Sequence, residues 1–130
     1  MPQYFEIAKA VFQKDNSFLL LKRFPHSVSY PNTWDFAGGK LDPGETPEES
    51  VIRETKEEAN LDIDSGPVVK EALYEDADYK LKFYFYHPIL PSGTVVLSKA
   101  HTKAIWVTEE EMKSMDLHPS VQVFLDEDNK

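Results

Sequence analysis

Residues 37–61 read AGGKLDPGETPEESVIRETKEEANL, and the fold is legible outward from them. Thr46 is a good helix N-cap, Pro47 suits the first helical position, and Glu49 sits three residues after Thr46. That pattern is a capping box with proline at N1. Pro43-Gly44 ahead of it marks a turn, and Asn60 is a left-handed terminator. The spacing predicts a helix over 47–59. At about 100° per residue, Val51, Ile52, Thr55 and Ala59 share the side that packs on a sheet.

Glu54, Glu57 and Glu58 gather on another arc, because 54/57 and 54/58 are i,i+3 and i,i+4 pairs. Arg53 lies beside Glu57 and Glu49. Like charges at such spacings repel by a few tenths of a kcal/mol per pair. A run of glutamates on a helix is ordinarily a solvated face. Three that converge beside a glycine loop make sense around a cation, and hard oxygen ligands suit Mg²⁺ or Mn²⁺.

The joint spacing is more specific than the glutamates alone. Gly39, Glu45, Arg53, Glu54, Glu57, Glu58 and Leu61 fit G-x5-E-x7-R-E-U-x-E-E-x-G-U, with U a bulky apolar residue. The segment 39–61 therefore resembles the Nudix box, the signature of the Nudix hydrolases. Two positions depart from it. Thr55 stands at an apolar position but keeps a methyl for packing. Asn60 stands at a glycine position, where asparagine is the next best left-handed cap.

The resemblance implies a metal-dependent hydrolase, similar to MutT, of a nucleoside diphosphate linked to another group. Glu57 and Glu58 would ligate Mg²⁺ (or Mn²⁺), and Glu54 would be a further ligand or the general base. The carbonyl of Gly38 would face the metal. Arg53 and Glu45 would pair and hold the loop to the helix. The implied fold is α/β, a mixed curved sheet between helices in an α/β/α sandwich.

The rest of the chain agrees with that class. A chain of 130 residues, 41% hydrophobic and 12% aromatic, predicts one globular domain over 1–130. A net charge of −9 argues against a nucleic-acid polymer as partner. The absence of cysteine excludes disulfides and thiolate metal sites and fits a cytoplasmic protein. Neither a secretory signal nor an apolar stretch near 18 residues is present, so no membrane partner is expected. A monomer or homodimer acting on a small nucleotide is the expectation.

Tyr4–Gln13 and Phe18–Phe24 read as a strand pair joined at Lys14-Asp15-Asn16-Ser17. Trp34–Phe36 is a short strand feeding the glycines. Residues 67–75 and 79–90 read as two strands about an acidic turn, and the second alternates Leu81, Phe83 and Phe85 against Lys82, Tyr84 and Tyr86. A turn at 91–93 and a short strand or extended loop at 94–97 follow. His101–Val107 leads into a last strand, Thr108 to Glu111 is a second capping box, and a final helix spans 121 to about 128. About six strands and three helices are expected.

Several residues outside the box are candidates for the substrate. Arg23, at a strand end, and Lys40, beside Gly39, are candidate phosphate contacts. Trp34 and Phe36 either line a base pocket or pack the core. His26 has no partner in sequence and is read as facing solvent. In relatives that hydrolyse oxidised purine nucleotides a polar residue near the last helix reads the base, and Ser120 is the matching place. Many relatives also carry a glutamate before the final tryptophan. Here none lies between Thr94 and Thr108, which leaves His101 as a candidate accessory ligand or base. An imidazole of ordinary pKa would suit proton transfer near neutral pH. The readings left open are triphosphate pyrophosphohydrolysis, hydrolysis of ADP-ribose, nucleotide sugars or dinucleoside polyphosphates, and a non-catalytic binding module.

Overall fold

The computed structural model describes residues 1–90, 95–97 and 101–126. The expected turn at 91–93 and the end of the last helix lie outside them. The elements are β1 (Gln3–Ala10), β2 (Gln13–Lys14), β3 (Ser17–Arg23), β4 (Trp34–Asp35), β5 (Ala37–Lys40), α1 (Pro47–Ala59), β6 (Val68–Glu75), β7 (Tyr79–Tyr86), β8 (His101–Thr108), α2 (Glu109–Met112) and α3 (Pro119–Leu125).

Helix α1 forms where its end signals place it. The Thr46 side chain accepts from Glu49 N–H, and the Glu49 carboxylate accepts from Thr46 N–H. Asn60 closes the helix at φ 59°. Val51, Thr55 and Ala59 are buried, but Ile52 is 40% exposed and Ser50 is buried in its place. The packed stripe is thus narrower and turned slightly from the one expected.

The strands form two sheets. One has the order β5-β1-β7-β6, with β1 antiparallel to β5 and parallel to β7. In the other, β3 pairs with β2, β4 and β8, antiparallel in each case. The expected hairpin between the first two strands is therefore mostly corrected. Only Gln13–Lys14 pairs with β3, while Gln3–Ala10 belongs to the other sheet. The chain crosses between sheets at Val11 and Phe12, whose backbones bond to Tyr86 and Leu19 respectively. The glycine pair, read as loop, is in strand β5.

Alternation along β1 and β3 explains the layering. Ile7, Val11, Phe18 and Leu20 enter one core cluster with Phe36, Phe83, Phe85 and Val121. Ala8, Ala10, Phe12, Leu19 and Leu21 enter another with Val51, Ala59 and Tyr86. Both strand faces are thus covered, by α1 on one side and α3 on the other, as the α/β/α sandwich requires. Val95–Leu97 has no regular structure, and Val96 N–H donates to the Ala59 carbonyl. Helix α3 starts two residues earlier than expected, because the His118 side chain caps it. No helix among the described residues is long and apolar enough to cross a membrane.

Candidate active site

The site forms where β5, the loop after it and α1 meet the C-terminal half of β1. Gly38 has φ 127°, and a Cβ there would lie 2.1 Å from the Ala8 carbonyl oxygen. Only glycine permits this approach of β5 to β1. At Gly39 a Cβ would instead meet the Glu54 carboxylate at 2.8 Å. The box glutamate therefore lies over a bare backbone. Gly39→Ala is expected to leave stability within about 1 kcal/mol, since a flexible side-chain end can move aside. It should still lower turnover about tenfold by displacing that carboxylate. Melting curves and initial rates on the same sample check both halves.

Arg53 organises the acidic face. Its Nε and Nη2 donate to the two oxygens of Glu45 at 2.8 and 3.0 Å, a bidentate pair. That bond holds the Glu45 carboxyl down at about pKa 2. Glu45 in turn accepts from Asp42 N–H, and Arg53 Nη2 reaches the Lys40 carbonyl, so the loop is fastened to the helix. Arg53 Nη1 donates to Glu54 at 2.8 Å and to Glu57 at 3.2 Å.

The carboxylates are consequently divided. Glu54 and Glu57 lean on Arg53, whereas Glu58 turns toward β5 and accepts from Gly38 N–H at 2.8 Å. Among the described residues, no three His, Asp or Glu side chains are gathered into a ready-made ion site. The expected convergence is not complete, because the guanidinium draws two of the three aside. The donor chemistry still fits a hard divalent ion. Burial pushes the Glu58 carboxyl up to about pKa 8, a carboxylate that lacks enough positive charge nearby. Glu57, with its side chain more than half exposed, is free to swing toward it.

A second hub, missed in the sequence, lies behind the glycines. Asp35 is fully buried and accepts from Lys9 Nζ at 2.9 Å, Arg23 Nη1 at 3.3 Å and Ser120 Oγ at 2.6 Å. Burial opposes its ionisation, but the neighbouring positive charges and the Ser120 hydroxyl outweigh it, and the carboxyl lies well below the usual range. Lys9 also donates to the Gly38 carbonyl at 3.1 Å, the oxygen the box resemblance turns toward a metal. A lysine amid Ile7, Ala8, Ala10 and Val11 was the available signal. Its partner stands 26 positions away, so spacing could not reveal it.

A pocket of about 100 Å³ opens between these groups. Its lining includes Arg23, Lys40, Glu58 and the backbone of Gly38 and Gly39, together with Phe5, Tyr30, Tyr79, Leu81 and His118. Arg23 is held there by the Ser29 carbonyl, and Lys40 Nζ lies 3.8 Å from the Phe5 ring centre. Trp34 does not line this pocket. It is partly buried against the core, under Lys22.

Three candidates are corrected. Phe36 is fully buried among Phe85 and Phe124 and has no surface for a base. Ser120 is likewise buried, its hydroxyl committed to Asp35. The pocket residue from that turn is His118, whose Nδ1 accepts from Ser120 N–H at 3.0 Å and is therefore unprotonated. His101 is buried with neither ring nitrogen bonded among the described residues, and burial lowers its pKa to about 4. It is neutral near pH 7 and does not have the ordinary pKa expected of a base there. His26 is exposed, as read.

Comparison with known proteins agrees with this geometry. The sequence model of the NUDIX domain matches residues 6–127. The chain is 27% identical over 115 residues to the CTP pyrophosphohydrolase of Escherichia coli K12, covering 88% of this chain and 84% of that protein. It is 28% identical over 81 residues to the 8-oxo-dGTP diphosphatase of the same organism, covering 62% and 63%. A MutT protein from Methanosarcina mazei Go1 superposes with a TM-score of 0.84 at 26% identity, covering 95% of this chain and 91% of that one. The chain belongs to the Nudix hydrolase family, whose members hydrolyse nucleoside diphosphate derivatives.

Proposed function

We propose that this chain is a Mg²⁺- or Mn²⁺-dependent nucleoside triphosphate pyrophosphohydrolase, converting NTP and water to NMP and pyrophosphate. The observation that carries this reading is the mixed lining of the pocket. Arg23, Lys40 and the two glycines suit a polyphosphate, and Phe5, Tyr30 and Tyr79, with His118 as polar contact, suit a base. The names of the relatives with which the chain shares most of its length support a triphosphate.

Glu54, Glu57 and Glu58 would hold the divalent ion, which when bound neutralises phosphate oxygens and acidifies a water. The chain's own residues do the rest. Arg23 and Lys40 face the anionic phosphates. Glu54, against Gly39, would, where it is not itself a ligand, take the proton of the water that attacks the α–β anhydride. Cleavage of that anhydride gives NMP and pyrophosphate, one keeping the bridging oxygen and the other taking the oxygen from water. Arg53 holds the helix and loop at the separation this geometry needs.

A substrate panel with Mg²⁺, holding the NTPs, dNTPs, 8-oxo-dGTP, ADP-ribose, a nucleotide sugar and a dinucleoside polyphosphate, tests the reading. Pyrophosphate from a triphosphate is the expected product. Nucleoside monophosphate from ADP-ribose without pyrophosphate would move the chain to another substrate class. No turnover with either metal would leave a binding role.

A further inference from the structure

The ammonium of Lys9 is held in an oxygen cage. It lies near the C-terminal end of β1, only 2% exposed, on the same side of the chain as Ile7 and Val11. All three of its N–H bonds have acceptors: Asp35 Oδ2 at 2.9 Å, the Gly38 carbonyl at 3.1 Å and the Phe36 carbonyl at 3.4 Å. One carboxylate and two backbone carbonyls are a donor set for a hard cation. The cage is rigid. Asp35 is fixed by Ser120 and Arg23, and the direction of the Gly38 carbonyl is set by a backbone no side chain could share. Burying an ammonium costs several kcal/mol unless such oxygens surround it.

Gly38 joins this cage to the acidic face. Its carbonyl accepts from Lys9, and its N–H donates to Glu58. One residue therefore touches a fixed positive charge on one side and a box carboxylate on the other.

We propose that Lys9 is a resident cation of this site. Its ammonium fills the oxygen cage at Gly38 that a divalent ion would otherwise enter, so bound metal is confined to the side of Glu54, Glu57 and Glu58. This rests on the catalytic reading given above, in that Glu54, Glu57 and Glu58 hold a divalent ion beside Gly38. Lys9 acts as a positioning residue, setting where and how many ions bind, and needs no contact with the reacting atoms.

The test is a titration with Mn²⁺ alone, following free Mn²⁺ by electron paramagnetic resonance. Lys9→Met, of similar length and without charge, is expected to bind one more Mn²⁺ per chain than the wild type. Isotherms of equal stoichiometry and affinity would overturn the proposal. A second measurement needs no variant. The ¹⁵N resonance of the Lys9 ammonium in the wild-type protein should survive saturation with Mg²⁺, and its loss to solvent exchange as Mg²⁺ is added would equally overturn the proposal. Glu58→Gln, titrated in parallel, separates the two readings. If it leaves Mn²⁺ binding untouched, the catalytic assignment fails. If it weakens binding while Lys9→Met changes nothing, only the role of Lys9 fails.

Discussion

Glu58→Gln is expected to lower turnover by about 10²–10³-fold, the scale on which preorganised charge at a reacting centre acts, while making the metal-free fold more stable. The two effects have one cause. Burial raises the Glu58 carboxyl to about pKa 8, so above that pH the ion-free chain holds a poorly compensated charge beside Gly38. An amide removes the charge and can still accept from the Gly38 N–H. The gain should be roughly 1–3 kcal/mol at pH 8, and the loss of activity follows from losing a ligand. Glu57→Gln should match the loss of turnover without the gain in stability, because Glu57 is exposed and, among the described residues, is bound to Arg53 alone. Initial rates with Mg²⁺ and melting curves in chelator are the readouts. Near-normal turnover in either variant would remove these carboxylates from the metal site.

The second large effect is acid lability above the usual carboxylate range. His101 and His118 are both buried, and burial lowers their pKa values to about 4 and about 3. A histidine depressed in the folded state binds fewer protons there than in the unfolded chain. Its contribution is complete above the unfolded value, about 6.5, and is lost as pH falls toward the folded one. Each such group gives a slope of about 1.4 kcal/mol per pH unit, so the pair gives roughly 2.7. Glu58 has the opposite sign, since its raised pKa makes the ion-free fold less stable as pH climbs from about 4.5 to about 8. Between pH 5 and 6.5 the wild type in chelator should therefore show about half the slope of Glu58→Gln. Urea midpoints at three pH values measure it. A flat profile in Glu58→Gln would mean that the histidines are not buried neutral.

The parts legible in the sequence were those whose signals are local. Thr46, Pro47, Glu49 and Asn60 lie within a few residues of the helix ends they fix, and α1 formed over 47–59. The Nudix spacing is also local, being one helix and one loop. The sheet arrangement was not, because the run read as one strand over Tyr4–Gln13 breaks at Val11 and Phe12, and nothing within it says that β1 joins one sheet and β2 the other. Asp35 escaped notice because its role depends on Lys9, Arg23 and Ser120 from three other elements. Ser120 and Phe36 were misplaced for a related reason. Each stands one or two positions from the pocket in sequence, and the helix cap at His118 and the alternation of β4 into β5 turn them inward.

The parallel pairing of β1 with β7 carries a consequence for synthesis. Gln3 lies against Tyr79 and Ala10 against Tyr86. Strand β1 leaves the ribosome ahead of residues 79–86 and must wait for them before it has this neighbour, whereas α1 can form as soon as it emerges. Closing a long loop before any contact rewards it is slow. During that interval Ile7, Val11 and the uncaged Lys9 stand on an open edge. The lysine charge near the end of that strand then serves as a gatekeeper, making pairing with a neighbouring nascent chain less favourable until β7 arrives.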